Sequence, residues 1–256
     1  MARSRTVGMR MMFDPRPLFA RGLDLQLTVA RFALALSLVL VPLASLAQDV
    51  APDALLRSVT QDVIGQIKRD ARLRSGDPVK VAALVQAEIL PLFDFNRMTQ
   101  IAMGANWRLA SPAQQLALVA EFKKLLVRTY SSALTKYRDE VIEIRPLRLA
   151  SGDTEATVKS DVKRMGKERM SLDYDMQLTP AGWRIYNVKI GGVSMVLTYR
   201  ELFAERIRAG GVEGLIKSLS DMNRPGDSRF NSVKASVWAK FQLMHAIVQG
   251  MLQRFH

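Results

Sequence analysis

The side chains that most often carry catalysis or hold metals are scarce in this chain. Among its 256 residues there is no cysteine, which removes thiolate nucleophiles, thiolate metal sites and disulfides together. The two histidines, His245 and His256, both sit in the last stretch of the chain and are too far apart to form a ligand pair or a catalytic dyad. Gly192-Val193-Ser194-Met195-Val196 has the outline of a nucleophile elbow. That motif needs glycine where Val196 stands and a histidine later in the same domain. Gly210-Gly211-Val212-Glu213-Gly214 lacks the spacing of a dinucleotide loop and falls between helical segments rather than after a strand. Asp173 and Asp175 alternate with apolar residues, which places them on the wet face of a strand rather than as an acid and base pair. The expectation is a protein with no catalytic residues, no metal site and no cofactor.

Charge and targeting narrow the class. The chain carries 37 basic and 24 acidic residues. Arg3, Arg5, Arg10, Arg16, Arg21 and Arg31 precede the apolar run 32–41, and the small-x-small site Ser45-Leu46-Ala47 follows it. Charged region, short apolar region and cleavage site in this order read as a secretory signal, residues 1–47, cut after Ala47. Met9, Met11 and Met12 are further possible starts. Six Arg and two Asp lie in that segment, so the mature chain keeps 31 basic and 22 acidic residues, a formal charge of +9. Such a surface suits anionic headgroups or acidic partner proteins, and export sets nucleic acid aside. With no cysteine after the apolar run, a lipoprotein anchor is also set aside.

The elements follow from periodicity. Leu55, Leu56, Val59, Val63, Ile64 and Ile67 recur at helical spacing after Pro52. Asp77-Pro78 then opens a second helix carrying Val81, Leu84, Val85 and Ile89, closed by Pro91. A short helix is expected over 94–103. Ser111-Pro112-Ala113-Gln114 reads as a capping box for a helix of about 25 residues, bearing Leu118, Phe122, Leu125, Leu126, Tyr130, Ala133, Leu134 and Tyr137, and this helix is expected to be the main partner of the sheet.

From Glu140 the period becomes two. Met170, Leu172, Tyr174, Met176 and Leu178 alternate with polar residues, as do Ala156, Val158 and Val162. Turns are expected at Ser151-Gly152-Asp153, Met165-Gly166-Lys167 and Pro180-Ala181-Gly182. Four antiparallel strands result, near 140–149, 154–164, 168–178 and 183–192. Helical spacing returns through Met195, Tyr199, Leu202, Phe203 and Ile207, with a stop at Gly210-Gly211 and a short helix after it. The fold class expected is α+β, a curved four-stranded antiparallel sheet packed against several helices and enclosing an apolar cavity. Residues 48–222 form the domain, 223–232 a linker, and 233–256 an amphipathic helical extension. Its stripe of Val233, Val237, Phe241, Met244, Val248, Met251 and Phe255 fits either packing on the domain or contact with a membrane surface or partner.

Two blocks of this sequence resemble a known family. The first runs from Phe93 to Leu134 and joins Phe93-Asp94-Phe95 with Met98, the loop Trp107-Arg108, the Ser-Pro-x-Gln cap, Glu121-Phe122-Lys123 and Leu126-Val127-Arg128-Thr129-Tyr130-Ser131. The second, Trp183 to Leu219, holds Tyr186-Asn187-Val188, Gly192-Val193-Ser194, Tyr199-Arg200 and Gly214-Leu215-Ile216. Both are similar to the MlaC, or toluene-tolerance auxiliary, family, over about residues 50–222. Gly191 departs from it where an acidic residue is expected, and the chain after Asn223 exceeds the usual family length. The resemblance implies a non-enzymatic periplasmic carrier of phospholipid that serves outer-membrane lipid asymmetry. Its implied partners are an inner-membrane Mla-type ABC transporter with its MCE subunit and an outer-membrane MlaA-like lipoprotein complex.

Lipid-binding residues expected on this basis are Phe122, Leu126 and Tyr130 on the long helix, Leu172, Tyr174 and Met176 on the third strand, and Val188, Ile190, Val193 and Met195 after it. Each also fits an ordinary core position, since an apolar stripe looks the same in either role. The rival readings are a carrier of a hopanoid or another hydrophobic small molecule, and a ligand-free scaffold whose interior is filled by its own side chains.

Overall fold

The computed structural model describes residues 50–136, 141–163 and 169–239, all within one unit, Gln48–His256. The signal segment with its site at Ala47, the Met165-Gly166-Lys167 turn, Tyr137, and the stripe from Phe241 onward with both histidines lie outside the described residues.

Helix α1, Pro52–Arg69, opens with proline in its first turn, where a missing N–H costs no hydrogen bond. Asp53 near its positive end and Lys68 and Arg69 at its negative end complement the helix dipole. Asp70 and Asp77 cap the short helices α2, Ala71–Ser75, and α3, Pro78–Leu84, each accepting two backbone N–H bonds. The chain continues through a π-helical turn, Val85–Ile89, and a 3₁₀ turn, Leu90–Leu92, to Asp94, which caps α4, Phe95–Met103. The capping box forms reciprocally at the start of α5, Pro112–Lys136. Ser111 N–H donates to Gln114 Oε1 at 3.0 Å, and Gln114 N–H donates to Ser111 Oγ at 3.3 Å.

Among the described residues the sheet has six strands: β1 Val141–Ile144, β2 Glu155–Val158, β3 Ser160–Lys163, β4 Met170–Thr179, β5 Gly182–Ile190 and β6 Val193–Ser194. Its order is β1-β3-β4-β5-β6, with β2 also paired to β4, and all pairings are antiparallel. The expected curved four-stranded sheet is therefore wrong: the sheet is an open path of six strands.

Two local events make the difference. The expected second strand is interrupted at Lys159, whose carbonyl accepts from Arg145 N–H at 2.9 Å as β1 comes alongside. β2 then pairs with the second half of β4, and β3 lies between β1 and the first half. Val158, Ser160 and Val162 stay buried through the break, so the period of two gives no sign of it. The sixth strand exists because Gly191 (φ 58°) and Gly192 (φ 84°) close a two-residue hairpin, with Ile190 paired to Val193. Positive φ at both turn residues matches the sheet twist and favours glycine at both places. β1 is also shorter than expected. After Ile144 the chain reaches Pro146, which has no N–H to give a ladder, and Leu147 N–H donates instead to Asp53 Oδ2 of α1 at 3.3 Å.

After a 3₁₀ turn, Leu197–Tyr199, helix α6 spans Arg200–Met222 with a break at Gly210 and Gly211. Residues 228–239 are helical, so this segment starts earlier than 233. The long helix α5 runs against α4 and α6, and its Leu118, Phe122, Leu125 and Leu126 share one core with Val158, Met176, Ile185 and Val188 of the sheet, while α1 and α4 also approach the strands. Phe122 on α5 meets Tyr199 and Phe203 edge to face, at ring separations of 5.1 and 5.0 Å. Among the described residues no helix is long and apolar enough to cross a membrane.

Candidate functional site

A cavity of about 330 Å³ opens between α1 and the sheet. From α1 it takes Leu56, Val59, Thr60, Val63, Ile64 and Ile67, a single helical face at three- and four-residue spacing. The sheet supplies Ile142 of β1, Val162 of β3, Met170, Leu172 and Tyr174 of β4, and Ile185, Val188 and Ile190 of β5. The remaining wall is Ile89, Leu92, Phe93, Tyr130, Met195 and Trp238. A smaller cavity of about 150 Å³ shares Ile89, Phe93, Tyr130 and Met195 with it and adds Leu126, Val127 and Phe95 among others.

The β5 wall depends on an irregularity. Asp175 pairs with Asn187, but its neighbour Met176 pairs with Ile185, so Tyr186 is an extra residue bulged out of the ladder. Without the bulge, Ile185 and Val188 would point to opposite faces. With it, the pairs Met176–Ile185, Tyr174–Val188 and Leu172–Ile190 all fall on the inner face.

Chemically the cavity is nearly featureless. Among the described residues, Thr60, the two tyrosine hydroxyls and the Trp238 indole N–H are its only N–H or O–H side-chain groups. Burial pushes the Tyr174 hydroxyl up to about 12, outweighing the Ser160 hydrogen bond that pulls it down. The Tyr130 hydroxyl is raised further, by burial and by the neighbouring Tyr199. Both phenols are therefore neutral at physiological pH, and none of the described lining residues is charged. The Tyr130 and Tyr199 hydroxyls are buried and, among the described residues, make no hydrogen bond of ordinary geometry. No group of three or more His, Cys, Asp or Glu side chains suited to a metal occurs among the described residues.

Of the ten residues singled out from the sequence, Tyr130, Leu172, Tyr174, Val188, Ile190 and Met195 line the larger cavity and Leu126 lines the smaller. Phe122, Met176 and Val193 line neither and belong to the packed core. The α1 face, the β1 and β3 contributions and Trp238 were missed. The α1 stripe was visible as a helix face, but nothing in a stripe distinguishes a face that meets a void from one that meets other side chains.

On the outer face of the sheet, Asp175 is almost wholly buried and accepts from Thr157, Asn187 and Lys189, each at 2.8 Å. Although burial opposes it, these bonds and the Lys189 charge hold its carboxyl below the usual carboxylate range. The carboxylate is therefore a satisfied structural anion that ties β2, β4 and β5 together, rather than a poised acid.

The MlaC protein family model matches residues 57–221. The toluene tolerance protein ttg2D of Pseudomonas putida is 22% identical over 186 residues, which cover 72% of this chain and 86% of the relative. Among solved structures, a phospholipid-binding protein from Ralstonia solanacearum, determined in complex with a phospholipid, is similar at 41% identity and a TM-score of 0.61. That match covers 67% of this chain and 96% of the Ralstonia protein. The matched span runs from within α1 to the end of α6 and so contains the cavity-bearing sheet and helices, and by it the chain belongs to the MlaC family.

Proposed function

We propose that this protein carries phospholipid through the periplasm by enclosing the acyl chains in the cavity between α1 and the sheet, with the headgroup left in water. The observation that carries the reading is the uncharged, almost wholly apolar wall of a cavity of about 330 Å³. It is joined to membership of a family of periplasmic phospholipid-binding transport proteins, whose members are non-catalytic carriers. A two-tailed lipid exposes on the order of 30 methylenes, each worth about 0.8 kcal/mol on removal from water, so a carrier must supply a dry enclosure and little else. No covalent step is required of it. Export follows cleavage after Ala47, and residues 48–222 form the lipid-binding domain. Leu126, Tyr130, Leu172, Tyr174, Val188, Ile190 and Met195 touch the acyl chains.

In the same reading the carrier exchanges lipid with an inner-membrane ABC transporter through its MCE subunit, and with an MlaA-like lipoprotein complex at the outer membrane. The formal charge of +9 on the mature chain favours docking on acidic surfaces. Purification from a Gram-negative periplasm without detergent, followed by native and denaturing mass spectrometry, tests the proposal. Stoichiometric phospholipid is the expected result. An empty, folded protein that takes up no added lipid would overturn it, and a different hydrophobic cargo would replace it.

A further inference from the structure

We propose that the C-terminal helix, residues 228–239, is a wall of the lipid cavity and that Trp238 touches the acyl chains and governs how firmly they are held. The inference rests on the carrier reading above. This helix lies beyond the family match, which ends at residue 221.

Its attachment is built rather than incidental. Phe230 and Val237 are buried in the main core, at 6% and 4% exposure. The Arg128 guanidinium of α5 stacks 3.8 Å from the Phe230 ring centre and donates to the carbonyls of Met222 (2.6 Å) and Arg224 (3.0 Å), fixing the turn that leads into the helix. Asp221, 5% exposed, meets Lys217 at 2.8 Å, Arg224 at 3.3 Å and Arg229 at 3.4 Å, so it ties the end of α6 to the first turn of the C-terminal helix. Asp227 accepts from the Arg229 N–H at 2.8 Å and holds its guanidinium at 2.6 Å.

Docked in this way, the helix presents Trp238 to the cavity, 6.1 Å from the Tyr130 ring that lies between the larger and smaller spaces. An indole is large and stiff, so its position sets how much of the cavity an acyl chain can occupy. At about 330 Å³ the cavity is near the lower end of the roughly 300 to 1,000 Å³ typical of ligand pockets.

The test uses protein purified from the periplasm, stripped of lipid and reloaded from phosphatidylcholine vesicles whose acyl chains carry bromine, which quenches indole emission only near contact. The chain has three tryptophans, and Trp107 and Trp183 line neither cavity. Expected is quenching of the wild type that is lost in Trp238→Phe, with lipid uptake by mass spectrometry retained in both. Trp238→Ala should release lipid roughly tenfold faster, the effect of about 1.4 kcal/mol of lost contact. Its thermal melt separates faster release from unfolding. Equal quenching of wild type and Trp238→Phe, or loading of the wild type without quenching, overturns the inference and leaves the carrier reading standing. A folded wild type that takes up no lipid overturns the carrier reading and this inference with it.

Discussion

Leu172 and Phe122 are both apolar and both inside the protein, yet their substitutions should have opposite signatures. Leu172 borders the cavity, so the carboxylate of Leu172→Asp can enter space that water reaches when lipid is absent, and it must be desolvated only when an acyl chain arrives. Its expected phenotype is a folded protein without copurifying lipid. Phe122 is fully buried between Tyr199 and Phe203 and lines neither of the two cavities. Phe122→Ala should cost about 3 to 5 kcal/mol of stability, while each molecule that remains folded keeps its lipid. Denaturant titration and lipid per folded protein, measured on both variants, check the contrast. If Leu172→Asp carries a full complement of lipid, that position is not part of the binding wall. The sequence placed both residues in one apolar set because helical and strand periodicity report which side faces inward. They do not report whether the inward side meets atoms or a void, and Met176 and Val193 were grouped with the cavity for the same reason.

Among the elements, those set by contacts within four residues were legible: the Ser111–Gln114 box, the Asp77 cap and the helix stop at Gly210-Gly211. The interruption at Lys159, the Tyr186 bulge and the docking of 228–239 depend on partners far along the chain and left no local mark. The helix stop yields a sharp prediction. Gly211 has φ 66° and ψ −169°, a region open essentially to glycine alone, and a Cβ there would meet nothing within 4 Å. Gly211→Ala should therefore lose about 1 to 3 kcal/mol through backbone strain alone. Gly210→Ala, also free of contacts but at φ −150°, should lose less in the same thermal melt. The C-terminal helix should respond to acid. Asp221 is held below its ordinary value chiefly by the Lys217 hydrogen bond, with Arg224 and Arg229 adding charge, and Asp227 is held at about 2 chiefly by the Arg229 hydrogen bond. A depressed carboxylate stabilises the fold above its unfolded pKa, near 3.9, and that contribution is lost as pH falls through the folded value. Amide protection over 228–239 should hold from neutral pH to about 4 and fall from there towards about 2, ahead of protection in β4 and β5. Protection that does not change across that window would show that the ion cluster is not the clasp.

For the molecule as a whole, the cavity is a liability until something fills it. Engineered cavities cost about 24 cal/mol per Å³, so 330 Å³ left empty would cost at most roughly 8 kcal/mol, and less where water enters. The total stability of a domain is only about 5 to 15 kcal/mol, so such a cost is tolerable in a protein that spends its working life loaded. The same argument accounts for the spread of the core into a main cluster and a satellite around Val63, Leu73, Val81, Leu84 and Val85, which lets the α1 to α3 region pack partly on its own account beside the cavity. A cargo that binds only the folded state should then raise its stability, by about 2.7 kcal/mol at a hundredfold excess over Kd. For a domain of this size that corresponds to a rise in Tm of about 5 to 10 °C. Protein stripped of lipid and refolded should melt lower than protein as purified, and phospholipid added back should restore the difference. Identical melting of stripped and reloaded protein, with lipid present in the reloaded sample, would place the lipid somewhere other than the interior and would remove the cavity from the mechanism.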